Sequence, residues 1–299
     1  MQNEGMLNMA IKAARDAGKI QVIAFRDRSN LQISNKSLGD YVTEVDKECE
    51  RVILETLKTA YPDHAFLGEE SGESGKKDAE YTWVIDPLDG TTNYSQGLPV
   101  FSVSIALQYR GETIAGVVYA PYLNELFTAT KDGGAYLQYA SREPERIRVG
   151  EKQTLATSVI ASGFPYDKDV NPDNNSDNVA RIIPYVRDVR RLGSAAYDLS
   201  CVAAGLLDGY WELDLHEWDV CAANLIVRRL GSAAYDISCV AAGLLDGYWE
   251  LALHEWDVCA AELILAEAGG VVCDLRRDRG ISIVAGNGAI VKEILKYVR

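Results

Sequence analysis

The sequence predicts a mixed α/β fold in which helices and sheets form layers, and three observations support this. Two segments with apolar residues at helical spacing, residues 6–26 and 44–60, precede a run of short strand-like segments. Helical and strand-like segments then alternate through the second half of the chain. The 299 residues, 47% hydrophobic and 25% charged, have the composition of a globular protein with a sizeable core.

Apolar patterning and turn residues predict the elements of the first half. The second helix is expected to end before Pro62, because proline rarely continues a helix. Asp132-Gly133-Gly134 is a turn signal that predicts a hairpin between the two runs beside it. The predicted strands are residues 65–68, 82–85, 102–108, 113–119, 126–130 and 135–138.

The polar segment 141–153 predicts a surface connection within a single domain. It would join an N-terminal part of about residues 1–140 to a C-terminal part of about residues 155–299. In the second part, strands are predicted at residues 158–161, 210–215, 270–275 and 281–285, and helices at 178–189, 195–204, from near Trp218, and at 289–297.

An internal repeat accounts for part of the length. Residues 189–226 recur as residues 227–264 with only three differences. Two near-identical copies are too few for a solenoid, so they indicate a duplication inside one domain. We expect the surplus copy to be extruded, tolerated as an insertion or exchanged between subunits. Exposure of its Val220, Leu225 and Ile226 would lower stability or alter association.

The charge balance restricts the class of partner. With 30 Lys and Arg against 44 Asp and Glu, the formal net charge is −14, which disfavours nucleic acid and anionic membranes. No stretch is long and apolar enough for a membrane span, and the N-terminal residues do not have the pattern of a secretory signal. We therefore expect a cytoplasmic protein. An acidic protein that binds an anionic substrate needs metal cations or backbone dipoles.

The most informative motif is Trp-Val-Ile-Asp-Pro-Leu-Asp-Gly-Thr-Thr-Asn-Tyr at residues 83–94. An apolar strand ends at Asp86, Asp89 follows, and Gly90 permits a tight turn before a helix start. Two carboxylates beside free backbone N–H groups are suited to holding hard cations and a phosphate together. An ordinary strand and turn with an N-capping Asp is the structural alternative.

Two further acidic motifs flank this window. Glu69-Glu70 follows an apolar run, and His-Glu-Trp-Asp occurs once in each copy, ending at Asp219 and at Asp257. Taken alone, the first is also explained by a solvated acidic turn and the second by helix capping. His216 and His254 could contact a substrate, but surface or capping roles explain them as well. His64 is expected to be a loop residue and Lys36 a solvated lysine.

Together these motifs resemble the signatures of the inositol monophosphatase family of magnesium-dependent phosphatases. The motifs are Gly-Glu-Glu-Ser at residues 68–71, the window at 83–94, and the run from Trp256 to Gly270. The resemblance spans nearly the whole chain. It implies the five-layered αβαβα sandwich shared with fructose-1,6-bisphosphatases, two or three Mg²⁺ ions, lithium sensitivity and a homodimer.

The resemblance also implies roles for individual residues. The metal ligands would be Glu69, Asp86, the Leu88 carbonyl, Asp89 and one Asp of the repeated motif. Asp46 and Thr91 would help orient the attacking water together with Glu69, and the N–H groups of Gly90 and Thr91 would hold the phosphate. Residues near the substrate hydroxyls would be Ala195 or Ala233, and Glu212 or Glu250.

Only one copy can supply the last ligand, and we expect Asp257 rather than Asp219. Asp257 leads into Glu262 and the Ala-Glu-Ala-Gly-Gly run of the family, whereas the first copy runs into Arg228-Arg229. The early helix and strand of the first copy would then combine with the Trp-Asp helix of the second.

The predicted function is Mg²⁺-dependent hydrolysis of a phosphate monoester, with myo-inositol monophosphate as the expected substrate. Related substrates are fructose 1,6-bisphosphate, 3′-phosphoadenosine phosphate and histidinol phosphate. A catalytically impaired binding or regulatory protein is the alternative from another class, because the duplication could disable the site.

Overall fold

The computed structural model describes residues 2–27, 33–37, 40–131, 133–150, 152, 154–165, 168–172, 174–212, 215–228, 247–253, 271–276 and 281–286. The helices in this part are α1 (Gln2–Arg26), α2 (Glu44–Ala60), α3 (Thr91–Gln96), α4 (Ser176–Ile182), α5 (Ala195–Ala203) and α6 (Glu217–Arg228). The strands of the first half are β1 (Ile33–Ser37), β2 (Asp40–Thr43), β3 (Ala65–Gly68), β4 (Gly72–Gly75), β5 (Tyr81–Asp89), β6 (Ser102–Tyr109), β7 (Glu112–Ala120), β8 (Glu125–Thr130), β9 (Gly134–Tyr139) and β10 (Glu145–Arg146). Those of the second half are β11 (Val159–Ser162), β12 (Asp188–Arg190), β13 (Gly209–Trp211), β14 (Gly247–Leu253), β15 (Val271–Arg276) and β16 (Ile281–Gly286).

The elements stack in five layers, which confirms the predicted αβαβα arrangement. Helices α1 and α2 pack on one face of an eight-stranded sheet of order β10-β9-β8-β7-β6-β5-β3-β4. Helices α5 and α6 cover the opposite face. A sheet of order β12-β11-β13 lies beyond them, and α4 packs on its far side, where Ile182 meets Ile160 and Trp211.

Alternation along β5 shows how the large sheet divides the core. Trp83 and Ile85 are fully buried against α2, with Ile53 in the same cluster. Val84 points to the other face and packs with Ala196 and other residues of α5 and α6. A strand that is apolar on both faces must lie inside a layered fold, because successive side chains point to opposite sides.

Most predicted elements are confirmed, and α2 has the predicted bounds. The helix predicted at residues 178–189 is wrong in its second half: α4 ends at Ile182, and Asp188–Arg190 forms β12. Pro184 explains the early end, because proline has no backbone N–H to continue the helical hydrogen bonds, although Ile183 before it still has helical dihedral angles. The helix predicted at residues 289–297 lies outside the described residues.

The duplicated strand occurs at the edges of two different sheets. The first copy, β13, pairs in parallel with β11. The second copy, β14, has the same Gly-Tyr-Trp sequence and pairs antiparallel with β16, in a sheet of order β14-β16-β15. Within the described residues no ladder joins the two sheets. The same strand sequence therefore forms a parallel pair in the first copy and an antiparallel pair in the second.

The helix that carries Asp219 is packed rather than exposed. Leu225 and Ile226 are buried and Val220 is half-buried, because α6 lies against β5, β6 and β7. The expectation that these side chains are exposed is therefore wrong for the first copy. No helix in the described part of the chain combines the length and the apolar character needed to cross a membrane.

Candidate metal and phosphate site

The end of β5 places two carboxylates at one edge of the large sheet. Pairing with β6 shifts register between Asp86 and Asp89, so the strand bulges there. The side chain of Leu88 is buried in an aromatic cluster that includes Phe101, which fixes the strand between the two acids. Asp86 still pairs with Ser104 and Asp89 with Ser102, so the two residues between the acids form the bulge.

Asp86 is buried among other acids. Its Oδ1 accepts a hydrogen bond from the backbone N–H of Leu88 at 2.9 Å. Burial raises the pKa of Asp86 well above its ordinary value, and the charges of Glu69, Asp89 and Asp219 raise it further. A carboxylate in this position is stable as an anion only beside a compensating positive charge.

Asp89 is held by the start of α5. Its Oδ2 accepts hydrogen bonds from Ser194 Oγ at 2.6 Å and from the backbone N–H of Ala196 at 2.8 Å. Burial raises the pKa of Asp89, and the charge of Asp219 adds to this, while the two donors act against it. Sequence reasoning missed Ser194, although a Ser before Ala-Ala is a helix N-cap signal.

Glu69 reaches the site from the neighbouring strand. Its backbone N–H donates to the carbonyl of Ile85 at 3.1 Å, which continues the parallel pairing of β3 with β5. Because β3 and β5 run in the same direction, their carboxyl ends meet at one sheet edge. Glu69 therefore lies beside Asp86, as its effect on the pKa of Asp86 also shows.

The first copy supplies the fourth acid. Asp219 is the third residue of α6, and its Oδ2 accepts a hydrogen bond from the backbone N–H of His216 at 2.6 Å. It therefore caps the helix while its charge also acts on Asp86 and Asp89. Asp257, which the sequence favoured, lies outside the described residues, so that preference stays a prediction.

Asp46 and Thr91 form the predicted pair. Thr91 Oγ lies 3.1 Å from Asp46 Oδ1 and 3.0 Å from the carbonyl of Leu88. The other Asp46 oxygen completes a capping box with Thr43 at the start of α2. Burial raises the pKa of Asp46 to about 6, and the charge of Glu70 contributes, while the hydrogen bonds from Thr43 and Thr91 lower it.

Gly90 shapes the turn into α3. Its φ of 94° lies in the left-handed region, and a Cβ there would be 3.1 Å from the carbonyls of Gly193 and Val100. No side chain caps α3. The backbone N–H groups of Gly90 and Thr91 thus lie at a helix start next to Asp89, and their role in phosphate binding stays a prediction.

A second group of residues adjoins Asp89. Glu212 is hydrogen-bonded by the hydroxyl of Tyr210, and burial raises the pKa of Glu212 to about 7, with Asp219 contributing. Ala195 is the buried first residue of α5. Asp198, which sequence reasoning missed, is buried, and its Oδ1 makes no hydrogen bond within the described residues. Burial and then the charges of Asp89 and Glu212 raise the pKa of Asp198 to about 8.

The second-copy substrate residues are not placed at this site. Glu250 lies on β14 opposite Ile283, and only its backbone is described. Ala233 lies outside the described residues. Their proposed roles stay predictions.

The donors suit a hard cation. They are carboxylate oxygens from β3, β5 and α6 plus the Leu88 carbonyl, which is the ligand chemistry that Mg²⁺ prefers. No three or more His, Cys, Asp or Glu side chains in the described part are already gathered into a metal cluster. By donor type and charge, these residues fit Mg²⁺.

The described histidines have structural contacts. His64 stacks between Tyr61 and Tyr81 and accepts a hydrogen bond from Trp83 Nε1 at 3.0 Å. His216 stacks on Trp218. The structure thus supports the loop and capping interpretations of these two residues. The side chain of Lys36 and the whole of His254 lie outside the description.

Comparison with known proteins identifies the family of the chain. The profile of the inositol monophosphatase family matches residues 2–231 and 226–298. The chain is 46% identical over 222 residues to the Nus factor SuhB of Pasteurella multocida, covering 74% of this chain and 81% of that protein. It is 40% identical over 227 residues to an inositol-1-monophosphatase of Mesorhizobium japonicum, covering 76% and 84%.

Among solved structures, the extragenic suppressor protein SuhB of Bartonella henselae matches with a TM-score of 0.72 and 34% identity. That match covers 98% of each chain. The two family matches overlap at residues 226–231, across the junction of the two copies. The chain belongs to the inositol monophosphatase family.

Proposed function

We propose that the protein is a Mg²⁺-dependent phosphomonoesterase that hydrolyses myo-inositol monophosphate. The observation that carries this proposal is the buried Asp86 at the end of β5, on which the charges of Glu69, Asp89 and Asp219 all act. Burial and mutual charge raise the pKa values of Asp86 and Asp89. Such a group binds divalent cations in preference to a substrate anion, and the bound cations then attract the phosphate.

The chain's own residues have distinct roles in this proposal. Glu69, Asp86, Asp89, Asp219 and the Leu88 carbonyl would hold the ions. The hydroxyl of Thr91, in hydrogen-bond contact with Asp46, orients the water that attacks phosphorus. The N–H groups of Gly90 and Thr91 bind the phosphate oxygens, on which negative charge develops in the transition state.

Bound Mg²⁺ would supply charge neutralisation and a lowered pKa for a coordinated water. The hydroxyl groups of the substrate would meet the face formed by Ala195 and Glu212. Glu212 accepts a hydrogen bond from Tyr210 on one oxygen, so its carboxylate is oriented before substrate binds. A polyol phosphate offers hydroxyl donors to such an acceptor.

A phosphate-release screen tests the substrate. The candidates are myo-inositol 1-phosphate, fructose 1,6-bisphosphate, 3′-phosphoadenosine 5′-phosphate and histidinol phosphate, each assayed at several Mg²⁺ concentrations. We expect the highest kcat/KM with myo-inositol 1-phosphate. A higher value with any other candidate would contradict the proposed specificity.

A binding role is the second candidate, because the first relatives by similarity carry the name Nus factor SuhB. In that case the folded protein would release no phosphate at any Mg²⁺ concentration. The relative at 40% identity is named an inositol-1-monophosphatase, and the intact acids on β5 favour the enzyme. We also propose that the protein is cytoplasmic, that it forms a homodimer and that lithium inhibits it.

A further inference from the structure

Glu50 lies outside every role assigned above, yet it is a buried acid with a specific contact. It sits one turn after Asp46 on α2, so both carboxylates share one face of the helix. Only 3% of the Glu50 surface is exposed. Burying an ionisable group is costly unless its hydrogen bonds are made, so the position calls for a reason.

The contact of Glu50 is with the turn that carries Glu69. Its Oε2 accepts a hydrogen bond from the backbone N–H of Glu70 at 2.9 Å. On the other side of the turn, the N–H of Glu69 donates to the Ile85 carbonyl at 3.1 Å. Two successive backbone groups are therefore anchored, one to α2 and one to β5, and Glu69 is fixed between them.

Gly68 allows this close approach. A Cβ at Gly68 would lie 2.5 Å from Glu50 Oε2, which is inside van der Waals contact. Any larger residue there would push the carboxylate away from the Glu70 N–H. Glycine at position 68 therefore leaves the space that the Glu50 carboxylate needs to reach the Glu70 N–H.

We infer that Glu50 is a positioning residue that holds Glu69 in place for cation binding. The inference rests on the proposed function. Its partner on the same helix face, Asp46, contacts Thr91 in the turn after β5. Helix α2 therefore sets the relative positions of two turns of the site. Groups that orient metal ligands in this way typically change metal affinity by about 10–100-fold when removed.

Conservative substitutions separate the contact of Glu50 from its charge. Glu50→Asp keeps the charge but is one methylene too short to reach the Glu70 N–H. Glu50→Gln keeps the reach and an acceptor oxygen but removes the charge. Gly68→Ala attacks the same contact from the other side. Glu55→Asp is the matched control, since Glu55 is an exposed glutamate on the same helix that pairs with Arg51.

The test is calorimetric titration of the folded full-length variants with Mg²⁺ alone, without substrate. We expect Glu50→Asp and Gly68→Ala to raise the dissociation constant about 10–100-fold, and Glu50→Gln and Glu55→Asp to stay within about threefold. In a phosphate-release assay, kcat should recover at saturating Mg²⁺. If Glu50→Gln binds Mg²⁺ weakly and Glu50→Asp binds it with wild-type affinity, the charge of Glu50 matters rather than its contact, and the inference is overturned.

Combining Gly68→Ala with Glu50→Ala adds a second check, because the smaller side chain removes the crowding. The double variant should bind Mg²⁺ no more weakly than Glu50→Ala alone. Wild-type protein that takes up no Mg²⁺ would refute the proposed function itself. Wild-type uptake with an unchanged dissociation constant in Glu50→Asp would refute only the positioning role.

Discussion

Asp219→Asn separates the two roles of the first-copy acid, because asparagine keeps a cap acceptor and removes the charge. At an effective dielectric constant of about 20, the repulsion energy between two negative unit charges is about 4 kcal/mol at 4 Å and about 2 kcal/mol at 8 Å. The side chain of Asp219 is 19% exposed, so solvent and salt reduce these values. We expect the metal-free variant to be about 1–3 kcal/mol more stable than wild type at pH 8.

This gain should depend on pH. The pKa values of Asp86 and Asp89 are raised in the folded protein, so the folded state binds more protons than the unfolded chain. Stability without metal therefore falls as the pH rises from about 4 towards those raised pKa values. Near pH 5 both acids carry protons, the repulsion by Asp219 disappears, and the variant and wild type should unfold at the same urea concentration.

Mg²⁺ should stabilise wild type more than the variant and so offset most or all of this gain. At 100 times the dissociation constant, a ligand stabilises the folded state by about 2.7 kcal/mol, and after a hundredfold loss of affinity by only about 0.4 kcal/mol. Urea unfolding at pH 8, with EDTA or with Mg²⁺, measures both effects. Asp257→Asn is the control, with the same substitution in the same tetrapeptide. If Asp257→Asn loses the Mg²⁺ response and Asp219→Asn keeps it, the second copy supplies the ligand.

Three further predictions concern the pH dependence of Mg²⁺ binding, the hydrogen bond from Ser194 to Asp89, and the duplication. The increase in Tm caused by Mg²⁺ should be larger at pH 8 than at pH 5, because protons on the buried carboxylates compete with the cation. One of these carboxylates is Asp46, with its pKa of about 6. An increase that is the same at both pH values contradicts this prediction. Ser194→Ala should weaken Mg²⁺ binding about tenfold in calorimetry by removing a donor to Asp89, whereas Ser200→Ala on the same helix should not. Deleting residues 227–264 removes β14 and should raise Tm, because β13 can then pair with β16 as a second neighbour. A lower Tm with lost activity would show that the second copy is needed.

Local sequence signals predicted the elements that carry the site. The apolar run ending at Asp86, with proline and glycine after it, predicted a strand and turn with two acids. The predicted strand end at Asp86 is wrong, because β5 continues through Pro87 to Asp89 with a bulge. That bulge depends on pairing with β6 and on burial of Leu88, which no local pattern specifies.

The supporting contacts were beyond the reach of local patterns. Ser194 and Asp89 are 105 positions apart, and Glu50 and Glu70 are 20 apart. The repeat posed a different difficulty, because two near-identical sequences have the same local preferences. Packing of α6 against the large sheet, which no local pattern specifies, places Asp219 where its charge acts on Asp86 and Asp89.

The central claim is that the buried acids at the end of β5 bind Mg²⁺ to hydrolyse a phosphate ester. Phosphate release from myo-inositol 1-phosphate, measured against Mg²⁺ concentration in wild type and Asp86→Asn, tests it most directly. We expect saturable dependence on Mg²⁺ in wild type and at least about a hundredfold loss of kcat/KM in folded Asp86→Asn. Wild-type turnover that persists in EDTA, or an Asp86→Asn variant with unchanged kcat/KM, would contradict the claim.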